Sequence, residues 1–505
     1  MTSERGRRTP WGGTWALVAC AVVLAVAVAA ALLATGTATR ARGALFPAKT
    51  PAATAPAWLA PPSAAPALEG AATLSPAAAQ PTAAVLAKAL EDKFKPAGGT
   101  ISATVLDGLT GQTLYSRSGT EGHVPASNLK LLTAAAALTT LGPDATLTTK
   151  AVRGQDPGSV VLVGGGDVML GSGASQPDAV MGRAGMATLA DQAAAALLQA
   201  GAPSAHDAGG PPRASASPTV PLPGTVTVRL DDTLFTGPSL NPAWDPEDVA
   251  AGEMAPLYAL ALNAGRSAPG AAGPRPQDSA MGAATAFRAE LAKDLGASGV
   301  KVADGVERGP APAGAPQLAA VQSATIADQL GYALRESDNY AAEALGRLAS
   351  HAAGGPASND GAVAALKAAA TRVLGSADGF QLSDACGLAT ADRATPAALA
   401  GLVRAMALGP DPRLRAALDG LPVAALDGTL AGRFGGAAAG GAGVVRAKTG
   451  TLNTVAALSG YVVDADGRLL VFSVLANGLD PAKRPPVLAA IDDGVAALAG
   501  CGCRG

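Results

Sequence analysis

The stretch Pro125-Ala126-Ser127-Asn128-Leu129-Lys130 opens an apolar run that continues to Leu141, and it decides both the fold and the chemistry of this chain. Such a run predicts the start of a buried helix. Residues three apart share one face of a helix, so we expect the Lys130 amine one turn from the Ser127 hydroxyl. A serine hydroxyl is a weak nucleophile that needs an adjacent base. The spacing therefore predicts a nucleophile together with its base.

Two later motifs complete this pattern. Ser337-Asp338-Asn339 precedes a predicted helix at 340–349, and Lys448-Thr449-Gly450 precedes the strand-compatible run 455–463. In a turn, the first of these motifs can direct a hydroxyl and an amide into one cleft, with Asp338 turned away as a structural partner or helix cap. The second motif supplies a cation beside a strand edge. Each motif alone is a weak signal, and their order makes the set specific.

Other chemistries fit the sequence less well. The three histidines, His123, His206 and His351, lack the context of a Ser-His-Asp triad, so lysine is favoured as the base. We expect burial and the neighbouring cation Lys448 to lower its pKa. No metal or other cofactor is expected, because no Cys/His cluster has metal-ligand spacing and glycines 164–166 lack the rest of a nucleotide loop. The formal net charge of −2 argues against a nucleic-acid partner.

The three motifs together resemble those of the penicillin-recognising serine acyl-transferases. More specifically, the chain is similar to the D-alanyl-D-alanine carboxypeptidases/endopeptidases of the class C low-molecular-mass penicillin-binding proteins (penicillin-binding protein 4 type). The similarity spans about residues 82 to 500. Further matching blocks are Val163-Gly164-Gly165-Gly166-Asp167, Asp231-Asp232-Thr233-Leu234-Phe235-Thr236-Gly237, Asp384-Ala385-Cys386-Gly387-Leu388, Leu421-Pro422-Val423-Ala424 and Asp427-Gly428-Thr429-Leu430.

The resemblance implies roles for three catalytic residues. Ser127 would be acylated, Lys130 would deprotonate it, and Ser337 would relay the proton to the leaving D-alanine nitrogen. The family block around residue 384 usually has serine where this chain has Cys386, and Ala389 replaces another common serine. The effect of these two departures on turnover is left open by the sequence.

The resemblance also implies a set of substrate-binding residues. Asn339 would bind the penultimate amide, Lys448 would set the local field, and the Thr449 and Thr451 hydroxyls would lie near the terminal carboxylate, with Gly450 between them. The backbone N–H groups of Ser127 and Thr451 would form the oxyanion hole. The expected substrates are peptidoglycan stem peptides, and β-lactam antibiotics would be inhibitors.

The expected fold class is α/β (α+β). A β-lactamase/transpeptidase-like domain, an antiparallel sheet flanked by helices, is assigned to residues 81–155 and 306–503. A strand-rich inserted domain is assigned to 156–305, with disordered loops at 203–223 and 267–280. Alternating and apolar runs bounded by turn residues predict the remaining elements. These are strands at 100–106, 113–116, 159–163, 225–230, 455–463 and 469–476 and a closing helix at 487–499.

The N-terminal region has the composition of a targeting segment. Arginines precede the apolar residues 15–34, which are long enough to span a bilayer, so residues 1–14 are expected to be cytoplasmic. Residues 15–34 are either a transmembrane anchor in the cytoplasmic membrane or a cleaved signal. The Ala/Pro/Thr-rich residues 35–80 would be a linker to an extracytoplasmic catalytic domain.

The leading functional hypothesis is a serine-type D-Ala-D-Ala carboxypeptidase, with D,D-endopeptidase action as the same chemistry on a larger leaving amine. Two alternatives remain at this stage. One is a β-lactamase or esterase on the same fold, and the other is a non-catalytic peptidoglycan-binding or sensor protein. Rapid turnover of penicillin would favour the first, and binding without D-alanine release would favour the second.

Overall fold

A computed structural model of the protein describes residues 74–95, 99–201 and 224–502. The strands are β1 (Thr100–Asp107), β2 (Thr113–Arg117), β3 (Thr146–Arg153), β4 (Ser159–Val163), β5 (Thr225–Asp231), β6 (Lys301–Val302), β7 (Glu307–Arg308), β8 (Gln317–Thr325), β9 (Phe380–Gln381), β10 (Arg393–Ala394), β11 (Arg446–Leu452), β12 (Val455–Val463) and β13 (Leu469–Asn477). The α-helices are α1 (Ala83–Phe94), α2 (Lys130–Thr140), α3 (Met186–Gly201), α4 (Pro246–Ala251), α5 (Ser279–Gly296), α6 (Ile326–Arg335), α7 (Asn339–Ala352), α8 (Asn359–Leu374), α9 (Pro396–Leu408) and α10 (Arg484–Ala499).

A five-stranded sheet with the order β11-β12-β13-β1-β2 forms the centre of the catalytic region. Every neighbouring pair in it is antiparallel. β1, β12 and β13 are mostly buried along their length, because helices cover both faces of the sheet and leave their residues little contact with water. The expected antiparallel sheet flanked by helices is therefore confirmed, and β12 has the predicted bounds.

Helix α2, which begins at Lys130, lies at the centre of the first hydrophobic core. Residues 131–139 of α2 are buried throughout, and they pack with α6, α8 and α9 against one face of the sheet. The opposite face is covered by α1 and α10, through residues such as Leu90 and Ile491. A helix that is apolar on all sides is stable only where it is surrounded by other elements, as α2 is here.

A second sheet, of six strands, builds the inserted unit. Its order is β6-β5-β4-β3-β8, with β7 also paired to β5, and α3 and α5 pack on it. β3 and β8 belong to the same sheet, because β3 pairs with both β4 and β8, and both strands lie outside the bounds 156–305 predicted for the inserted domain.

The stretch 267–280, predicted to be a disordered loop, is instead tied to the protein. Its Arg275 side chain is buried and donates to the Gly252 and Ala264 carbonyls, and α5 begins at Ser279. Low-complexity composition did not reveal these contacts, since they depend on a residue distant in sequence from its partners.

Several other predictions fall outside the described residues: the loop at 203–223, the segment 15–34 and nearly all of the linker 35–80. Within the part of the chain that the structure describes, no helix is both long and apolar enough to cross a bilayer.

A further apolar cluster joins the inserted unit to the catalytic region. Trp244, Met254 and Leu257 from the inserted unit pack with Tyr340 of α7 and with Leu388. This cluster lies directly behind the residues singled out by the sequence motifs, so the inserted unit forms one wall of their surroundings.

Candidate active site

The nucleophile motif lies at a sharp entry to α2. Residues Ala126–Leu129 form a 3₁₀ turn, and Ala126 has a φ of 46°. Lys130 is the first residue of α2 and is buried, whereas Ser127 is half-buried at the surface of a cleft. The Lys130 Nζ lies 2.8 Å from the Ser127 Oγ. The predicted contact between these two side chains is therefore present.

Lys130 has two other acceptors besides Ser127. Its Nζ donates to the Asn339 Oδ1 at 2.6 Å and to the Cys386 carbonyl at 2.8 Å. Burial lowers the pKa of Lys130, while charges at Cys386 and at nearby carboxylates, Asp384 first, act in the opposite direction. A lowered pKa favours the neutral amine, which is the form that can accept a proton from Ser127.

The second motif precedes α7. Ser337 has a φ of 57°, and the next residue, Asp338, caps the helix by accepting from the Ala341 N–H. Ser337 and Asn339 line the cleft together with Asp338, whose carboxylate pairs with Arg266 and Arg275. The helix begins at Asn339, one residue earlier than expected.

The third motif lies within the edge strand β11, directly ahead of β12. Lys448 is buried, and its Nζ donates to the Ser337 Oγ and to the Thr449 carbonyl, both at 2.8 Å. Burial, followed by the nearby charge of Lys130, holds the pKa of Lys448 well below its usual range. The sequence predicted that burial and the neighbouring Lys448 would lower the pKa of Lys130, and burial is the largest cause of the lowered pKa at both lysines.

Two glycines allow the backbone segments to meet at the nucleophile. A Cβ on Gly450 would lie 2.7 Å from the Asn128 Nδ2 and 3.0 Å from the Pro125 carbonyl oxygen. A Cβ on Gly387, whose φ is +80°, would lie 2.0 Å from the Ala126 carbonyl oxygen. Side chains here would push β11 and the loop after Asp384 away from the turn that carries the nucleophile.

Asp384 organises that loop, which the sequence matched as a block without assigning it a role. Its carboxylate accepts four backbone N–H bonds from residues 386–389, the Trp244 indole N–H at 2.9 Å and the Cys386 thiol. Cys386 is a buried free thiol, and burial raises its pKa. The Cys386 thiol contacts Asp384, whereas its backbone carbonyl accepts from Lys130. The side chain that replaces the usual serine is therefore turned towards Asp384.

The same region contains a compact set of possible metal ligands. Atoms of Glu343, Asp384 and Cys386 lie within 4.8 Å of one another. Burial, followed by the Asp384 charge, raises the pKa of Glu343 to about 7. Both Asp384 oxygens already accept hydrogen bonds from backbone N–H groups of residues 386–389. These bonds explain the carboxylate as a support for the loop.

Two contacts near the motifs were not anticipated. The Thr429 and Thr449 hydroxyls are 2.7 Å apart, and Thr429 comes from a matched block whose role was not predicted. His123 bonds to the Ser102 Oγ at 2.6 Å and makes no contact with Ser127, which disfavours the histidine alternative for this residue. His206 lies outside the described residues.

An open cleft of about 470 Å³ unites the predicted residues. Ser127, Ser337, Asn339, Thr449 and Thr451 line it, while Lys130 and Lys448 lie buried beneath and contact them. Gly450 lies in β11 between Thr449 and Thr451. The arrangement provides two hydroxyl–amine pairs, Ser127 with Lys130 and Ser337 with Lys448.

Comparisons with known proteins identify the family of this chain. The model of the D-Ala-D-Ala carboxypeptidase 3 (S13) family matches residues 82–199 and 267–498. A carboxypeptidase of Mycobacterium tuberculosis is 37% identical over 430 residues, covering 84% of each chain. Carboxypeptidase DacB of Mycolicibacterium smegmatis is 35% identical over 431 residues, which is 83% of this chain and 84% of that relative.

A solved structure shows the same fold. Penicillin-binding protein 4 (dacB) from Haemophilus influenzae is 18% identical, with a TM-score of 0.60 over 81% of this chain and 99% of that one. The expected fold class and the resemblance stated from the motifs are both confirmed. The chain belongs to the D-Ala-D-Ala carboxypeptidase 3 (S13) family, and it is a serine carboxypeptidase of the penicillin-binding protein 4 type.

Proposed function

We propose that Ser127 is the acylated nucleophile and Lys130 its general base. The observation that carries this assignment is the 2.8 Å contact between the buried Lys130 amine and the Ser127 hydroxyl. The neutral amine takes the hydroxyl proton as the Ser127 Oγ attacks the scissile carbonyl. Water then cleaves the resulting ester, which releases the shortened peptide and restores Ser127.

Ser337 is the proton relay to the leaving group. Its hydroxyl bonds to the Lys448 Nζ at 2.8 Å and lies in the same cleft as Ser127. The leaving D-alanine nitrogen needs a proton as the carbon–nitrogen bond breaks, and Ser337 passes on to it the proton that Lys130 took from Ser127. Lys448 orients the Ser337 hydroxyl through their hydrogen bond and sets the local field for a substrate carboxylate.

The rest of the cleft binds the peptide. Asn339 holds the penultimate amide, and the Thr449 and Thr451 hydroxyls bind the terminal carboxylate beside Gly450. The N–H groups of Ser127 and Thr451 stabilise the oxyanion, where removal of one donor commonly costs on the order of a hundredfold in rate. Support comes from the position of these residues around one cleft.

The substrates are stem peptides of peptidoglycan that end in D-Ala-D-Ala, and cross-links are accepted when the larger leaving amine fits. β-Lactams acylate Ser127 because their strained amide imitates the same bond. A penicillin-binding protein 4 structure from Haemophilus influenzae is described as complexed with a β-lactam, which supports this extension. Peptidoglycan lies outside the cytoplasm, so residues 15–34 act as a membrane anchor or a cleaved export signal.

Release of D-alanine tests the proposal directly. A tripeptide ending in D-Ala-D-Ala is incubated with the protein, and free D-alanine is quantified beside the same peptide ending in D-Ala-L-Ala. We expect release from the first peptide and a loss of activity in Ser127→Ala and in Lys130→Met. Binding of the peptide by a folded protein without release would support the wall-binding alternative instead.

A further inference from the structure

Arg275 of the inserted unit connects that unit to the second catalytic motif. Its side chain is 2% exposed, although it lies in a stretch of mostly exposed residues. The Nε donates to the Gly252 carbonyl and the Nη1 to the Ala264 carbonyl, each at 2.7 Å. The Nη2 lies 3.5 Å from the Asp338 carboxylate. One guanidinium group therefore joins two turns of the inserted unit to the cap of α7.

A backbone carbonyl continues this connection to the active site. The Glu253 carbonyl accepts from the Arg275 Nη2 at 3.4 Å and from the Asn339 Nδ2 at 3.0 Å. On its other side, the Asn339 Oδ1 accepts from Lys130 at 2.6 Å. The contacts thus run from Arg275 through the Glu253 carbonyl and the Asn339 amide to Lys130.

The position of the Glu253 carbonyl determines which way the Asn339 amide faces. A carbonyl oxygen accepts only from the NH₂ end of the amide, and the Lys130 amine donates to the oxygen end. An amide NH₂ group has two hydrogens, so one remains for a ligand in the cleft after Glu253 has taken the other. If the Glu253 carbonyl moved away, only the Lys130 contact would hold the Asn339 amide, and its NH₂ group could turn away from a ligand carbonyl.

We propose that Arg275 is a positioning residue that fixes the Asn339 amide so that it recognises the acylamino group of the ligand. The inference rests on the proposed function, in which Asn339 binds the penultimate amide. The planar fork of arginine suits this task, because it reaches several carbonyls and a carboxylate at once in fixed directions. Lysine presents one compact ammonium group and cannot hold the same set.

The test compares two β-lactams that differ at the group Asn339 would recognise. Benzylpenicillin carries an acylamino side chain, and 6-aminopenicillanic acid lacks the acyl carbonyl. Second-order acylation rates are measured with both compounds for the parent protein, Arg275→Met and Arg275→Lys. We expect the ratio of the benzylpenicillin rate to the 6-aminopenicillanic acid rate to fall about tenfold in Arg275→Met, which corresponds to the loss of one hydrogen bond.

Arg308→Met is the matched control. Arg308 also belongs to the inserted unit and pairs with Asp232 at 3.0 Å and Asp278 at 2.6 Å, but it does not line the active-site cleft. Its variant should keep the parent ratio, even where stability falls. A general structural defect in Arg275→Met would slow both compounds equally and leave the ratio unchanged, which would overturn the proposal.

Two further outcomes remain decisive. If Arg275→Met does not fold, Arg275→Lys keeps a buried cation and should still show the lowered ratio, and a parent ratio in Arg275→Lys would contradict the proposal. Failure of the proposed function has a different signature, because the parent protein would then be acylated by neither compound.

Discussion

At Gly450, β11 passes close to the turn Ala126–Leu129, which carries Ser127. Replacing it by alanine would put a Cβ 2.7 Å from the Asn128 Nδ2, 3.0 Å from the Pro125 carbonyl oxygen and 3.1 Å from the Ala126 Cβ. Asn128 is fully buried, so its side chain has little space into which to withdraw. Ordinary contacts of about 3.5 Å require β11 and the turn to separate by roughly 0.5–0.8 Å.

This separation would move Thr449 and Thr451 relative to Ser127. A misplacement of about 1 Å can cost on the order of a hundredfold in rate, so we expect Gly450→Ala to slow acylation by benzylpenicillin by about 10- to 100-fold. The free energy of unfolding should fall by only ~1–3 kcal/mol, as for other overpacked sites. Stopped-flow or quenched mass measurements give the acylation rate, and thermal unfolding gives the stability.

Gly440→Ala is the control for this experiment. A Cβ on Gly440 would meet no atom within 4 Å, and Gly440 does not line the cleft. It should therefore leave the acylation rate unchanged. An unchanged rate in Gly450→Ala as well would refute the argument that close approach of β11 is needed for reaction.

Three more predictions concern groups around the site. Burial lowers the pKa of Lys130, so the second-order acylation rate should rise with pH and level off at a pH below the ordinary lysine pKa of 10.5. A rate that does not change between about pH 5 and pH 10 would contradict this prediction. Burial raises the pKa of Asp167 to about 7 from 3.8, so the folded protein retains a proton that the unfolded chain has released, and stability should fall as pH rises from about 4 to 7. Asp167→Asn should remove that loss, which amounts to at most ~4 kcal/mol, and denaturant unfolding of both proteins at several pH values measures it. Trp244→Phe deletes the indole N–H bond to Asp384, so we expect the free energy of unfolding to fall by ~1–3 kcal/mol and acylation to slow. An unchanged acylation rate would show that the loop functions without this hydrogen bond.

The sequence predicted the local features of the site well. Spacing alone placed Lys130 one turn from Ser127, and the apolar run 455–463 gave the bounds of β12, because both depend on short-range helix and strand periodicity. The turn at Ser337 and the capping role of Asp338 followed from the preferences of polar residues at helix starts.

The sequence did not predict contacts between residues that lie far apart in the chain. Arg275 lies in a stretch whose composition indicates a loop, and nothing local shows that it contacts Asp338. The pairing of β3 with β8 also joins strands that lie more than 150 residues apart in the chain, which no local pattern predicts. The pKa of Lys130 depends on burial, which only the assembled helices create.

The most direct test of the central claim is intact-mass spectrometry of the protein after exposure to benzylpenicillin, with Ser127→Ala measured in parallel. The account predicts a mass increase of one penicillin on the parent protein and none on Ser127→Ala, with peptide mapping locating the adduct at Ser127. An equal adduct on both proteins, or no adduct on a folded parent protein, would contradict the assignment of Ser127 as the acylated nucleophile.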